Sequence, residues 1–143
     1  MQDSIVQTYV KKPLLLGNKK FDLRIYALVI ANDPFIVFLS NKGLARFCTE
    51  DYQAPSSKNL HNTRMHLTNY ALNKLSGKFV REEKEKMFEI NEASKRELSS
   101  LWKTLEQEGH NPAIFQEQIE ECVVKVGEEL KLVSDSREAR YDQ

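Results

Sequence analysis

Cysteine is scarce in this 143-residue chain, with Cys48 and Cys122 the only two. Two thiols so far apart make no disulfide framework and fit a reducing compartment. Long apolar runs are missing too. The longest, Ala27–Ala31 and Phe35–Leu39, fall far short of the roughly 20 residues that a membrane-spanning helix needs. The first residues, MQDSIVQTYVKK, carry neither the basic start, the apolar stretch nor the cleavage site of a secretory signal, and no N-x-[ST] acceptor occurs. A cytosolic protein without membrane insertion is the expectation. Five Gly and four Pro exclude a collagen-like or linker-like chain. Neither charge is in excess, 21 Lys and Arg standing against 21 Asp and Glu, so net charge draws the chain to neither nucleic acid nor an anionic bilayer. Neither G-x-G-x-x-G nor G-x-x-x-x-G-K-[ST] occurs, so any nucleotide is held without a glycine-rich phosphate loop.

What is present is the material of one domain, 41% hydrophobic and 29% charged. The balanced charge hides two unlike halves. Residues 1–80 hold 11 basic and 5 acidic side chains, a net +6; residues 81–143 hold 10 and 16, a net −6. The first half attracts anions, and the second reads as a solvated helical hairpin. Period-two alternation runs through the first half. Ile5–Val10 reads as a short strand ended by Lys11-Lys12-Pro13. Phe21–Ile30 is the clearest strand, with Phe21, Leu23, Ile25, Ala27 and Val29 on one face and Asp22, Arg24 and Tyr26 together on the other. After a turn at Asn32-Asp33-Pro34, Phe35–Ser40 returns; Asn41-Lys42-Gly43 reads as another turn and Leu44–Thr49 as a third strand. Residues 50–64 read as a polar surface loop.

From about residue 81 the period becomes helical. Leu98, Leu101, Trp102 and Leu105 mark an amphipathic helix ending near Gly109. Asn111-Pro112 opens the next, whose apolar stripe is Phe115, Ile119, Cys122, Val123, Val126 and Leu130. The fold class is therefore α+β, an antiparallel sheet covered by C-terminal amphipathic helices over residues 1–133. Residues 134–143 are polar and expected to be a disordered tail.

Four clusters carry chemistry. Gln7-Thr8-Tyr9-Val10 is either plain core strand or an edge whose backbone meets a flat heterocycle. In Lys20-Phe21-Asp22-Leu23-Arg24, the Arg beside an Asp makes either a structural ion pair or, with Lys20, a holder for a polyanion; Arg offers a planar fork and Lys a point charge. Arg46 sits among apolar and small residues, so it either snorkels at a sheet edge or lines a cleft. Met65-His66-Leu67-Thr68-Asn69-Tyr70 gathers an imidazole, a hydroxyl, an amide and a phenol. His61, His66 and Cys48 match no zinc spacing, and no metal site is expected within the chain.

These clusters, in this order, resemble the tubulin-tyrosine-ligase-like family of ATP-grasp amino-acid ligases. The likeness runs from about Val6 to Lys131 and is carried by QTYVKKPLLLGNKKFDLRIYALV, GLARFCTEDY, MHLTNYALNK and ASKRELS. Its wording is nearer to the polyglutamylating branch. The resemblance implies the central part of an ATP-grasp domain, with ATP as cofactor. Gln7, Thr8, Tyr9 and Val10 match the family's adenine-binding strand; Lys20, Phe21 and Asp22 match its ATP-contacting K-F-D; Thr68 and Asn69 match its T-N pair at the nucleotide. Arg24 matches a basic residue close to phosphate. Arg46, Tyr70, Ser94 and Lys95 match positions that hold the amino-acid substrate, here glutamate. Arg24 and Arg46 are the residues expected to act in catalysis.

The implied reaction joins free glutamate to a glutamate side chain of a tubulin tail through an acyl phosphate, by positioning and charge neutralisation. A basic half suits so acidic a partner. The family's upstream lysine and glycine-containing loop, and its downstream magnesium-binding Asp, Glu and Asn, find no match here. Magnesium ligands are therefore expected outside the chain, which alone is expected to be inactive. A catalytically inactive microtubule-binding module is one alternative, and a ligase adding glycine or tyrosine is another. The expected location is cytoplasmic and cytoskeletal, with cilium or basal body as a refinement. A nucleic-acid partner rests only on the +6 half and is set aside.

Overall fold

A two-residue turn begins the sheet. In the computed structural model, which describes residues 4–82 and 92–141, Gly17 and Asn18 take positive φ of 54° and 61°. That is the conformation of a type I′ turn, whose twist matches its flanking strands. It joins β1 (Leu15–Leu16) to β2 (Lys19–Asn32). β3 (Phe35–Phe47) returns along β2, and β4 (Lys95–Glu97) pairs with β3, giving the order β1-β2-β3-β4, antiparallel throughout. Two single-turn helices, α1 (Thr63–His66) and α2 (Tyr70–Asn73), precede β4; α3 (Leu98–Gln107) and α4 (Pro112–Tyr141) follow it. The architecture is the α+β one read from the sequence.

The alternation of β2 sorts its side chains as expected. Phe21 stacks on Phe47 with ring centroids 5.2 Å apart. Leu23 and Ile25 continue the same face onto a core of Leu16, Ala45, Phe47, Leu98, Leu101 and Leu105. The three leucines come from one stripe of α3. That helix stops where Gly109 takes φ 84°, with the Gly109 and His110 amides bonding back to the Glu106 and Leu105 carbonyls. Asn111 Oδ1 then accepts from the Ala113 amide at 3.0 Å and caps α4.

Three local expectations are corrected. Ile5–Val10 is not a strand: no strand among the described residues lies alongside to take its backbone groups, and Ile5 and Val6 are 88% and 95% exposed. β1 forms instead, where Gly17-Asn18 supplies the turn. Asn41-Lys42-Gly43 is not a turn, because β3 runs straight through it. The register steps from Ile25↔Gly43 to Ala27↔Leu39, so Ser40–Lys42 bulge opposite Tyr26, and the Lys42 amide bonds the Ser40 hydroxyl at 3.1 Å. Gly43 fits there because a Cβ would strike the Arg24 carbonyl and the Leu98 side chain. Lastly, α4 continues to Tyr141, since no Gly or Pro follows Gly127 to stop it, so the tail expected to be disordered from residue 134 is helical as far as 141. Residues 142–143 lie outside the described ones.

The α4 stripe faces the distal half of the β2–β3 hairpin without closing on it. A groove of about 530 Å³ remains between Ile25, Val29, Phe35 and Val37 on the sheet and Phe115, Ile119, Val123 and Leu130 on the helix. At Gly127 the helix backbone meets the Phe35 ring so closely that a Cβ would collide with it.

Candidate functional site

Cross-strand pairing assembles one row of side chains on the sheet face away from the core. Asp22 of β2 stands opposite Arg46 of β3, and Arg46 opposite Lys95 of β4. The pairing sets their Cβ atoms about 5 Å apart on a shared face. Arg46 Nε donates to Asp22 Oδ1 at 2.8 Å and Nη2 to Oδ2, a two-pronged contact that raises the Arg46 pKa, chiefly through the hydrogen bond. Lys95 Nζ lies 5.8 Å from the Tyr70 ring centroid, and that ring rests edge-on against Phe79 at 5.7 Å. Asp22, Arg46, Lys95 and Tyr70 thus form a continuous line across β2, β3, β4 and α2. Arg46 is partly buried, and the contact with Asp22 uses Nε and Nη2, which leaves Nη1 on the far side of the fork. Arg24 is exposed one step along β2, opposite Leu44.

A second cluster lies beside the first, because Lys20 shares the β2 face of Asp22. Lys20 Nζ donates to the His66 carbonyl at 2.8 Å and to the Tyr9 hydroxyl at 3.5 Å, and sits 4.5 Å from the Tyr9 ring centroid. Tyr9 Oη and His66 Nδ1 share a hydrogen bond of 3.0 Å. Burial raises the phenol pKa of Tyr9, and likewise that of Tyr52, so both stay neutral. Asn73 fixes the segment that follows. Its side chain accepts from the Thr49 amide and hydroxyl at 2.9 and 3.0 Å and donates to the Leu67 and Asn69 carbonyls at 2.8 and 3.1 Å, so a buried amide is satisfied on both ends. Through it Thr68, buried, and Asn69, exposed at the start of α2, are tied to the end of β3.

Of the residues expected from the sequence, Tyr9 with Lys20 and Asp22 with Arg46, Lys95 and Tyr70 are brought together. Gln7, Thr8 and Val10 are exposed on the unpaired N-terminal segment. Phe21 stands apart from the K-F-D pair that flanks it: strand alternation turns its ring into the core on Phe47. Ser94 stands apart too. Its hydroxyl accepts from the Val80 amide at 3.1 Å, and with Phe47, Lys19, Asp51 and Arg96 it lines a separate cleft, on the other side of the strand from Lys95. Asn73 was not expected, and His66 stood in the fourth cluster without a role of its own; their shared signal was the density of polar groups in Met65–Asn73, a segment too rich in them for a plain loop. Among the described residues no three of His, Cys, Asp and Glu gather as metal ligands. The one carboxylate in the row is held by Arg46, so these residues do not fit magnesium. Lys20, Asp22 and Arg24 share one face of β2, and Arg46 and Lys95 continue the row on β3 and β4, so four cations and one acid line a face that suits anions.

The profile of the tubulin-tyrosine ligase family matches residues 1–141. Tubulin polyglutamylase ttll6 of Danio rerio is 45% identical over 121 residues, 85% of this chain and 15% of that protein. Tubulin polyglutamylase TTLL7 of Homo sapiens is 45% identical over 121 residues, 85% and 13%. Tubulin polyglutamylase TTLL11 of Mus musculus is 45% identical over 106 residues, 74% and 14%. The chain thus spans about a seventh of the length of these relatives.

Proposed function

Because the chain belongs to the tubulin-tyrosine ligase family, we propose that it is the nucleotide- and amino-acid-holding middle of an ATP-dependent ligase that joins glutamate to glutamate side chains of tubulin tails. The observation that carries this reading is the row Asp22–Arg46–Lys95–Tyr70. Asp22 fixes the plane of the Arg46 guanidinium, and the free side of that fork suits the carboxylate of an incoming glutamate. Lys95 adds a point charge, and Tyr70 gives the site an aromatic wall. Arg24, exposed beside them, offsets developing phosphate charge. At the other end, Gln7–Val10, Lys20, Thr68 and Asn69 would hold ATP, which supplies the phosphoryl group that activates a carboxylate. The names of the relatives, all tubulin polyglutamylases, support glutamate over glycine or tyrosine and tubulin as partner. The same reading puts the enzyme at microtubules of the cytoplasm, cilium or basal body.

The test is an exchange. This segment replaces the matching one in the Danio rerio polyglutamylase, and labelled glutamate, glycine and tyrosine are offered with ATP and tubulin. Incorporation of glutamate alone supports the proposal; incorporation of glycine or tyrosine corrects the amino acid, and a folded but inert chimera favours an inactive module. The 143-residue chain alone is expected to transfer nothing. A row of cations offsets only part of the repulsion between phosphate and carboxylate oxygens.

A further inference from the structure

The N-terminal segment lacks the ladder of hydrogen bonds that would hold it, yet its position relative to Lys20 is defined. From Ile5 to Val10 only Tyr9 is partly buried, and its shortest hydrogen bond is to one imidazole, beside a longer one from Lys20. His66 Nδ1 bonds the Tyr9 hydroxyl at 3.0 Å, the two rings meet edge to face at 5.8 Å, and Tyr52 meets the same imidazole edge-on at 6.2 Å. Tyr52 in turn donates to the Lys11 carbonyl at 2.7 Å. The His66 carbonyl takes the Lys20 ammonium at 2.8 Å. His66 is only 6% exposed, and its Nε2 is buried without a hydrogen-bond partner. An apolar side chain of similar size would fill this place without leaving a polar atom unsatisfied. What the imidazole adds is the Nδ1 bond to Tyr9.

We propose that His66 is a positioning residue, a clasp that fixes the Gln7–Val10 backbone against the Lys20 ammonium. Its nucleotide consequence rests on the function proposed above: the clasp sets the gap between the backbone that meets the base and the cation that meets phosphate. The test uses the whole 143-residue chain and two readouts. The first is the rate of tryptic cleavage after Lys11, which needs no ligand; cleavage after Lys103 in α3 reports general unfolding. Tyr9→Phe, which removes only the hydroxyl, and His66→Leu should each speed cleavage at Lys11 at least fivefold and leave Lys103 unchanged. His66→Asn, which keeps a polar atom near Nδ1, should stay within twofold of the parent. Unchanged cleavage in Tyr9→Phe, or equal acceleration in all three variants, would overturn the clasp. The second readout is affinity for a fluorescent ATP analogue, expected to fall at least fivefold in the two accelerated variants. Should the parent bind no analogue while cleavage responds as stated, the ATP reading fails and the clasp stands.

Discussion

The two ends of the β2–β3 hairpin are built differently. At the end that meets β4, core side chains are sealed: Ala45 and Leu101 have no exposure, and Phe47, Leu98 and Leu105 almost none. At the far end, Leu28 and Phe38 face each other across the strands 63% and 59% exposed, and the inner face opens onto the groove beneath α4. The charged row lies over the sealed end. A guanidinium that must hold one plane needs a backbone that does not shift, and close packing under β2 and β3 supplies it.

This contrast can be broken from the inside first. Leu101→Ala should cost about 3 kcal/mol in chemical unfolding, by lost transfer energy and a cavity. Leu28→Ser at the open end should cost less than about 0.5 kcal/mol. Comparable losses at both positions would erase the difference. The next effect is alkaline. Burial pushes the Cys48 thiol up to about 11. An unfolded thiol ionises near pH 8.5 to 9 while the folded one stays protonated, so stability holds below pH 9 and falls as pH rises toward 11, by roughly 2 kcal/mol. Urea midpoints across that range should fall less steeply in Cys48→Ala. A smaller effect belongs to the row itself: Asp22→Asn should cost about 1 kcal/mol of stability, because the pair is partly exposed. Smallest in energy, and simplest to see, is thiol labelling at neutral pH. Exposed Cys122 should react readily and buried Cys48 only on unfolding.

The same contrast explains what could be read from the sequence. At the sealed end, strict alternation in Phe21–Ile25 and the leucine spacing of α3 dictated the faces, and Asp22 and Arg24 fell on the polar one as expected. Pairing of Asp22 with Arg46 follows from register, which depends on the bulge at Ser40–Lys42 and is hidden in residues that equally spell a turn. The Ile5–Val10 apolar stretch looked like a strand because composition does not report whether a neighbouring strand exists. The clasp at His66 joins residues distant in sequence, and local patterns carry no trace of such contacts.

The central claim is that the Arg46 fork, set by Asp22, receives a carboxylate, and the most direct measurement is kcat/KM for glutamate in the exchanged polyglutamylase carrying Arg46→Lys. Lys keeps the charge and loses the planar, two-pronged geometry. The account predicts a loss of about 10- to 100-fold, roughly 1.5–3 kcal/mol, close to that of Arg46→Ala and with the ATP requirement little changed. Glutamate incorporation by Arg46→Lys at the level of the parent would contradict it.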